Sequence, residues 1–344
     1  MVHKALLLLT SVALFQSALG RGYNPDYLSM VASAIKAPSG HNTQPWKFRI
    51  RESAVEIHPN LSCSLPNVDG DNRELYISLG CALENLCLAA SQQGYQPIPS
   101  VVDSAGGCYI SVRLVRGGAS GSSYLFGAIE KRQTNRSVYS GRVVAVDTLA
   151  LLQGLPLERG IRCRIIGRDE RSFLRLTDYV MRGNLVQMND RGFKAELLSW
   201  IRFNKGEVRR CSDGLTYKVM GSPSTPRCLG KRIVGLFLKA DAQNKADLAK
   251  IRSSSHLVLF TSSGNTAEDW ILTGRSLERF LLSAAQLGIS CAYVNQPCEV
   301  KALAGELQQE LLSATERPML LLRIGYAPPA PYSPRKAVED VVVE

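Results

Sequence analysis

The sequence predicts a mixed α and β chain made of two related halves, and three observations carry that expectation. Two long apolar helical stretches, residues 80–94 and 274–288, align with seven identities in fifteen positions. Each is followed by a strand-like run with a Leu/Arg ending, Arg113-Leu114-Val115-Arg116 and Leu321-Leu322-Arg323-Ile324. Between the first helix and the first strand lies the run Pro-Ser-Gly-His-Asn-Thr-Gln-Pro-Trp at 38–46. Two prolines, a glycine and short polar side chains leave backbone N–H groups free to face a ligand.

In chain order, Leu28, Val31, Ala32 and Ile35 recur at helical spacing, with Asp26 the expected cap after Pro25. Pro38 disfavours helix at Ala37 and ends it. Trp46, Phe48 and Ile50 alternate with Lys47, Arg49 and Arg51 as a half-buried strand, and 55–58 is its hairpin partner. A loop rich in Pro, Asn, Asp and Gly covers 64–72. Residues 74–94 read as a helix apolar almost all round, hence buried on most sides. A strand follows at 109–115, and the Gly/Ser-rich run 117–123 reads as a connector. A short helix is expected to carry Lys131 to Ser137. Residues 186–232, polar and broken by Gly and Pro, are too long for an ordinary connection and read as an excursion such as a lid. Trp200 is its exposed-looking aromatic. Strands at 257–260 and 319–324 flank a helix at 267–288, capped by Asn265 or Thr266 with Glu268 and Asp269 in its first turn.

The 344 residues, 45% hydrophobic and 21% charged, are ordinary for one large or two smaller globular domains. No apolar run is a confident membrane span. The net charge of +11 is dispersed. It reads as a solvated surface, with an anionic partner as the alternative, and no nucleic-acid-binding motif accompanies it. Lys4, the largely apolar run 5–15 and Ala18-Leu19-Gly20 read as a signal peptide over 1–20, which implies export to a periplasmic or extracellular space. An N-terminal core helix is the alternative. Nine cysteines, odd in number and without paired spacing, fit a reducing, cytoplasmic compartment instead. The two cues conflict. Cys81, Cys87, Cys291 and Cys298 sit among apolar neighbours and are expected in the core, and no zinc-type spacing is present.

Within the repeat, Glu74 and Ile77 also match Glu268 and Ile271 in the same register. The shared Gly, Glu, Gln and Gly are harder to obtain by chance than shared Leu and Ala. A duplication is therefore expected, with halves at 21–116 and 117–344, the second carrying the excursion and a C-terminal tail. Two related halves in one chain would mimic a two-fold dimer.

With these features in place the chain resembles the FMN-dependent nitroreductase family, in its double-length Acg-like branch. The Pro-Ser-x-x-Asn-x-Gln-Pro-Trp run, the twice-occurring helix ending in Gly, Arg132-x-Thr-Asn-Arg136, Glu196-Leu197-x-x-Trp200, Asp213-Gly214-Leu215 and Ser333-Pro334-Arg335 carry the resemblance. It implies an α+β, nitroreductase-like fold in which mainly antiparallel sheets are flanked by long helices. Ordinary members bind FMN between two subunits, taking a basic motif from one and the Pro-Ser-x-x-Asn motif from the other. This chain keeps the loop only in half one and the basic motif only in half two, so one composite FMN site within a monomeric pseudo-dimer is expected. Arg132, Thr134 and Arg136 suit a phosphate dianion, and the resemblance adds Arg335 and Lys336. Pro38, Ser39, Gly40 and Asn42 would meet the ribityl chain and ring edge, and Asn295 the ring. Trp46 is expected in the core and His41 as an ordinary loop side chain.

The resemblance implies hydride transfer from NAD(P)H through FMN to a nitroaromatic or quinone-like acceptor. Donor and acceptor are small molecules, with no nucleic-acid partner, no membrane span in the mature chain, and no catalytic side chain or metal required. A flavin-holding protein closed by its lid is the alternative.

Overall fold

A computed structural model describes residues 22–104, 107–117 and 124–344. The expected signal peptide and most of the Gly/Ser-rich connector lie outside them. Helix α1 (Pro25–Ala34) is capped by Asn24, whose side chain accepts from the Asp26 N–H at 2.9 Å. The expected cap, Asp26, is therefore corrected. Proline occupies the first helical position, where its missing N–H does no harm, and the cap must precede it. Strands β1 (Trp46–Ile50) and β2 (Ala54–Pro59) pair antiparallel as expected. Helix α2 (Arg73–Gln92) is buried along most of its length. It leads to β3 (Tyr95–Val102) and β4 (Tyr109–Arg116). Strand β3 is absent from the sequence reading, because Pro97 and Pro99 argue against a strand. It lies at the sheet edge and pairs with β4 alone, a position where a missing N–H is tolerated.

The expected helix at 131–137 is not formed. A single tight turn covers Phe126–Ala128, and Thr134 then lies alongside Cys291 as an isolated parallel bridge. The Asn135 N–H donates to the Cys291 carbonyl at 2.9 Å. Pairing with a distant strand takes up the donor a helical turn would use, and no apolar periodicity favoured a helix there.

The chain continues through α3 (Val146–Gln153), β5 (Ile161–Gly167) and α4 (Arg171–Asn189). The excursion follows, as α5 (Arg191–Ser199), β6 (Ile201–Arg202), α6 (Lys205–Cys211), β7 (Leu215–Thr216) and α7 (Arg227–Phe237). Next come α8 (Ala240–Ser253), β8 (His256–Ser262), α9 (Ala267–Gln286), β9 (Ser290–Tyr293), α10 (Gln296–Glu299), α11 (Lys301–Leu311) and β10 (Arg317–Gly325). A tail ends in α12 (Val338–Val341) and β11 (Val342–Val343). Thr266 caps α9 in a capping box with Asp269, and Asn265 accepts from the Trp270 indole at 3.1 Å.

One sheet has the order β11-β1-β2-β4-β3, antiparallel except for the parallel β11–β1 pair. The other is β5-β8-β10-β9, antiparallel throughout. A small parallel β6–β7 pair sits in the excursion. The fold is thus α+β, with mainly antiparallel sheets and long helices. The last strand returns to the sheet built by the chain's first third.

Helices α2 and α9 pack on each other across two glycines. A Cβ on Gly80 would lie 2.1 Å from the Ile271 carbonyl oxygen, and one on Gly274 would lie 2.0 Å from that of Ile77. The contact is reciprocal and in the register of the sequence repeat. Around it Trp46, Phe48, Leu79, Leu83, Phe260, Phe280 and Leu322 form a single core. Trp46 is fully buried, as expected. Alanine at position 80 or 274 should lower the unfolding free energy by roughly 1–3 kcal/mol. Gly235→Ala, where a Cβ meets nothing within 4 Å, should be neutral or mildly stabilising. Urea midpoints of the three variants provide the comparison, and equal midpoints for all three would contradict the close approach.

Candidate functional site

The loop at 38–46 is locally strained and held from outside. His41, Asn42 and Gln44 have φ of 49°, 56° and 55°, in the left-handed region that side chains with a Cβ seldom occupy. The Ser39 hydroxyl accepts from the Gln44 N–H at 3.0 Å. Gln44 is fully buried, donates to the Ser212 carbonyl at 2.9 Å and accepts from the Lys336 N–H at 2.8 Å. Asn42 donates to the carbonyls of Gly214 (3.3 Å) and Pro334 (3.1 Å). The Gly214 N–H returns a bond to the Asn42 carbonyl at 3.1 Å. Loop, excursion and tail therefore fix one another.

Two adjoining cavities open here. The outer one, about 470 Å³, is walled by Pro38, Ser39 and Asn42 from the loop, by Arg132, Thr134 and Arg136 from the extended segment, and by Ser333 and Arg335 from the tail. The inner one, about 220 Å³, shares Pro38, Ser39, Thr134 and Arg136. It adds Gly40, His41, Tyr293 and Asn295 with the apolar Ile77, Leu215, Leu277 and Leu320. Nine of the ten residues expected in a site thus line one or other cavity. Lys336 does not; its ammonium lies 3.7 Å from the Cys63 sulfur.

The three arginines differ. Arg335 donates to the carbonyls of Ile35, Lys36 and Ala37 at 2.8–3.0 Å and to the Asn42 side chain at 2.8 Å. It closes the end of α1 and holds the loop, and burial pulls its pKa down to about 9. Arg132 is buried, donates to the Lys36 carbonyl at 2.7 Å and pairs with Glu278 at 3.3 Å. Arg136 is exposed, lines both cavities, and has no hydrogen bond or ion pair among the described residues. An anion entering the cleft would meet this guanidinium uncommitted. Burial first, and the Arg136 charge second, hold the His41 imidazole down at about 4, so it is neutral at pH 7.

Several cavity residues were not anticipated. Lys36, Gln133 and Tyr332 join the outer wall, and Cys81, Glu74 and Glu299 the inner one. Asn295 links two elements of this wall: it donates to Glu74 and accepts from the Leu321 N–H at 3.0 Å. Burial, and after it Glu299, raise the Glu74 carboxyl well above its ordinary range. The repeat carried a signal for Glu74, as the partner of Glu268. Glu299 carried none.

Glu278 is the repeat partner of Glu84, yet their surroundings differ. Glu84 accepts from Arg275 at 3.2 Å and twice from Arg279, at 2.9 and 3.0 Å. At the equivalent places beside Glu278 stand Cys81 and Asn85, and neither Glu278 oxygen has a hydrogen-bond partner among the described residues. Burial lifts the Glu278 carboxyl to about 7, against the pull of Arg132, Asn85 and Arg335, with Glu84 adding to the rise.

The family resemblance motifs of the excursion serve as staples. Glu196 accepts from the Asn67 and Val68 N–H groups at 3.0 and 3.1 Å, and Arg202 donates to Asp213 at 2.8 Å. Trp200 is only partly exposed and packs beside Leu65 and Phe193.

No family model matches the chain. It is 25% identical over 325 residues to a Mycobacterium tuberculosis protein provisionally named an NAD(P)H nitroreductase, covering 91% of this chain and 90% of the relative. The acg product of that organism, also provisionally named an NAD(P)H nitroreductase, is 22% identical over 323 residues, with 91% and 94% covered. An uncharacterised protein of the same organism is 24% identical over 333 residues, with 91% of both chains covered. A solved FMN-dependent nitroreductase, NfnB from Mycobacterium smegmatis in complex with NADPH, superposes at a TM-score of 0.39 with 12% identity over 62% of this chain and 94% of that one.

The Glu278 environment has a measurable consequence. A carboxyl raised from 4.5 to about 7 on folding binds its proton more tightly in the folded state, so stability falls as pH rises through that window. Glu278→Gln should flatten the fall between pH 4.5 and 7 by on the order of 2–3 kcal/mol. Unfolding free energies across that range test it, and superimposable pH profiles would exclude Glu278 as the group. The chain is a full-length relative of the nitroreductase-named, Acg-like proteins.

Proposed function

We propose that the chain is an FMN-dependent oxidoreductase of nitroreductase type, which passes hydride from NAD(P)H to a nitroaromatic or quinone-like acceptor. The observation that carries this reading is the meeting of the 38–46 loop with the 132–136 segment across one pair of cavities, with Arg136 uncommitted at their junction. The names of the full-length relatives support it.

The cavities suit the cofactor at both ends. The outer one offers Arg136, the Thr134 and Ser39 hydroxyls and the spare edge of Arg132 to a phosphate. The inner one offers Ile77, Leu215, Leu277 and Leu320 to a flat aromatic ring, with Gly40 close by. Bound FMN would supply the hydride-accepting and hydride-donating ring. The protein's own part is to hold it: Arg335 and Asn42 fix the loop, Glu278 orients Arg132, and Asn295 positions the inner wall. The reciprocal Gly80–Gly274 contact supports two duplicated halves acting as an internal pseudo-dimer, divided near residue 117, with one composite site and a monomeric working unit. We assign export to the mature protein if residues 1–20 are removed.

A second reading is favoured by one observation. The excursion is bonded to the loop through Ser212 and Gly214, and its Leu215 enters the inner cavity. A lid so attached would keep flavin and limit turnover. Anaerobic mixing of the FMN-loaded protein with NADH or NADPH separates the two: rapid bleaching supports the enzyme, persistent colour the holder. Arg136→Ala should weaken FMN binding roughly ten- to a hundredfold, the range of a lost charge-assisted bond. Lys336→Ala and His41→Ala should change it little. Flavin absorbance retained after gel filtration measures this, and equal retention by all three variants would displace the phosphate end from Arg136.

A further inference from the structure

Helix α7 carries an apolar stripe that the fold leaves uncovered. Leu229, Ile233, Leu236 and Phe237 are spaced i, i+4, i+7 and i+8, which places them on one face. They are 49%, 41%, 68% and 68% exposed. The helix is attached by a different face. Gly230 is buried, so that a Cβ there would lie 2.3 Å from the Phe203 ring, and Val234 lines a small apolar cavity with Ile201 and Tyr217, whose rim Ile233 of the stripe also joins. Met220, 37% exposed, adjoins that cavity and extends the apolar surface.

The charge along the segment that carries the stripe has one sign. From Gly214 to Ala240 the chain has no Asp or Glu, but Lys218, Arg227, Lys231, Arg232 and Lys239. Arg227 pairs with Glu207 at 3.2 Å. Lys231, Arg232 and Lys239 are exposed and have no ion-pair partner among the described residues.

We infer that α7 is an interfacial helix that docks the protein on an anionic lipid surface, lying in the plane of the headgroups with Leu229, Ile233, Leu236 and Phe237 immersed. Large apolar side chains on one face, with an arginine flanking them and lysines on the far face and just past the helix end, are a pattern that partitions to such a surface. The alternatives fit less well. A nucleic acid would leave four large apolar side chains against phosphate. A second copy meeting through the same face would bring Arg232, which flanks the stripe, against its own image. α7 belongs to the same excursion as Ser212 and Gly214, which touch the 38–46 loop.

The test is co-sedimentation of the full chain with vesicles of phosphatidylcholine, alone or mixed with phosphatidylglycerol. Binding should require the anionic lipid and weaken as salt rises. Leu236→Ser/Phe237→Ser should lower the partition coefficient at least roughly tenfold. Arg232→Gln/Lys239→Gln should lower it roughly twenty- to thirtyfold. Because these side chains are exposed, far-ultraviolet circular dichroism and the unfolding midpoint should stay unchanged, which separates lost docking from misfolding. Equal binding by the wild type and Leu236→Ser/Phe237→Ser would assign any vesicle affinity to another segment and overturn the proposal. Equal affinity for neutral and anionic vesicles would also overturn it. So would a concentration-dependent dimer that Leu236→Ser/Phe237→Ser abolishes without any vesicle binding.

Discussion

The close approach of Gly80 and Gly274 is the constraint on which the rest of the structure depends. Two long buried helices can come this near only where neither carries a side chain. The approach fixes the sliding register of α2 on α9, so that Ile77 meets Gly274 as Ile271 meets Gly80. The sheets follow, because Trp46 and Phe48 from one and Phe260 and Leu322 from the other pack into the same core. The cavities follow too. Cys81 and Ile77 of α2, Leu277 of α9 and the segment beside Cys291 surround the inner chamber.

Symmetry at that contact makes the asymmetry around it informative. Equivalent glutamates sit on the two helices, but one faces two arginines and the other faces Cys81 and Asn85. The second glutamate takes its positive partner from outside the helix pair, in Arg132. That substitution turns a structural ion pair into a link between the core and the cavity wall. A buried carboxylate with too few donors is a source of instability, tolerated here where it orients an arginine.

Much of this was legible in the sequence, for reasons particular residues explain. The helices and central strands carried strong periodicity, and the 38–46 loop announced itself by composition. Arg132, Thr134, Arg136, Asn295 and Arg335 line one or other of the two cavities, and the order of their motifs along the chain made them legible through the resemblance. What escaped depended on distant partners. The extended form of 131–137 is set by pairing with Cys291, and β3 by its place at an edge, so local propensity misjudged both. Lys336 looked like a neighbour of Arg335 in function, yet adjacent residues of an extended tail point opposite ways. Glu299 became a wall residue only through a short helix whose position no local pattern encodes.

The tail has a further meaning for how the protein is made. Arg335 is what gathers the carbonyls of Ile35 to Ala37 and the Asn42 side chain, and Val342–Val343 completes the edge of a sheet begun at Trp46. These contacts join residues near the two ends of the described chain, so they form late and carry a high closure cost. During synthesis the loop would emerge long before its clamp, with His41, Asn42 and Gln44 free to relax out of their left-handed backbone. The loop therefore keeps its left-handed backbone only where the tail residues 333–343 are in place.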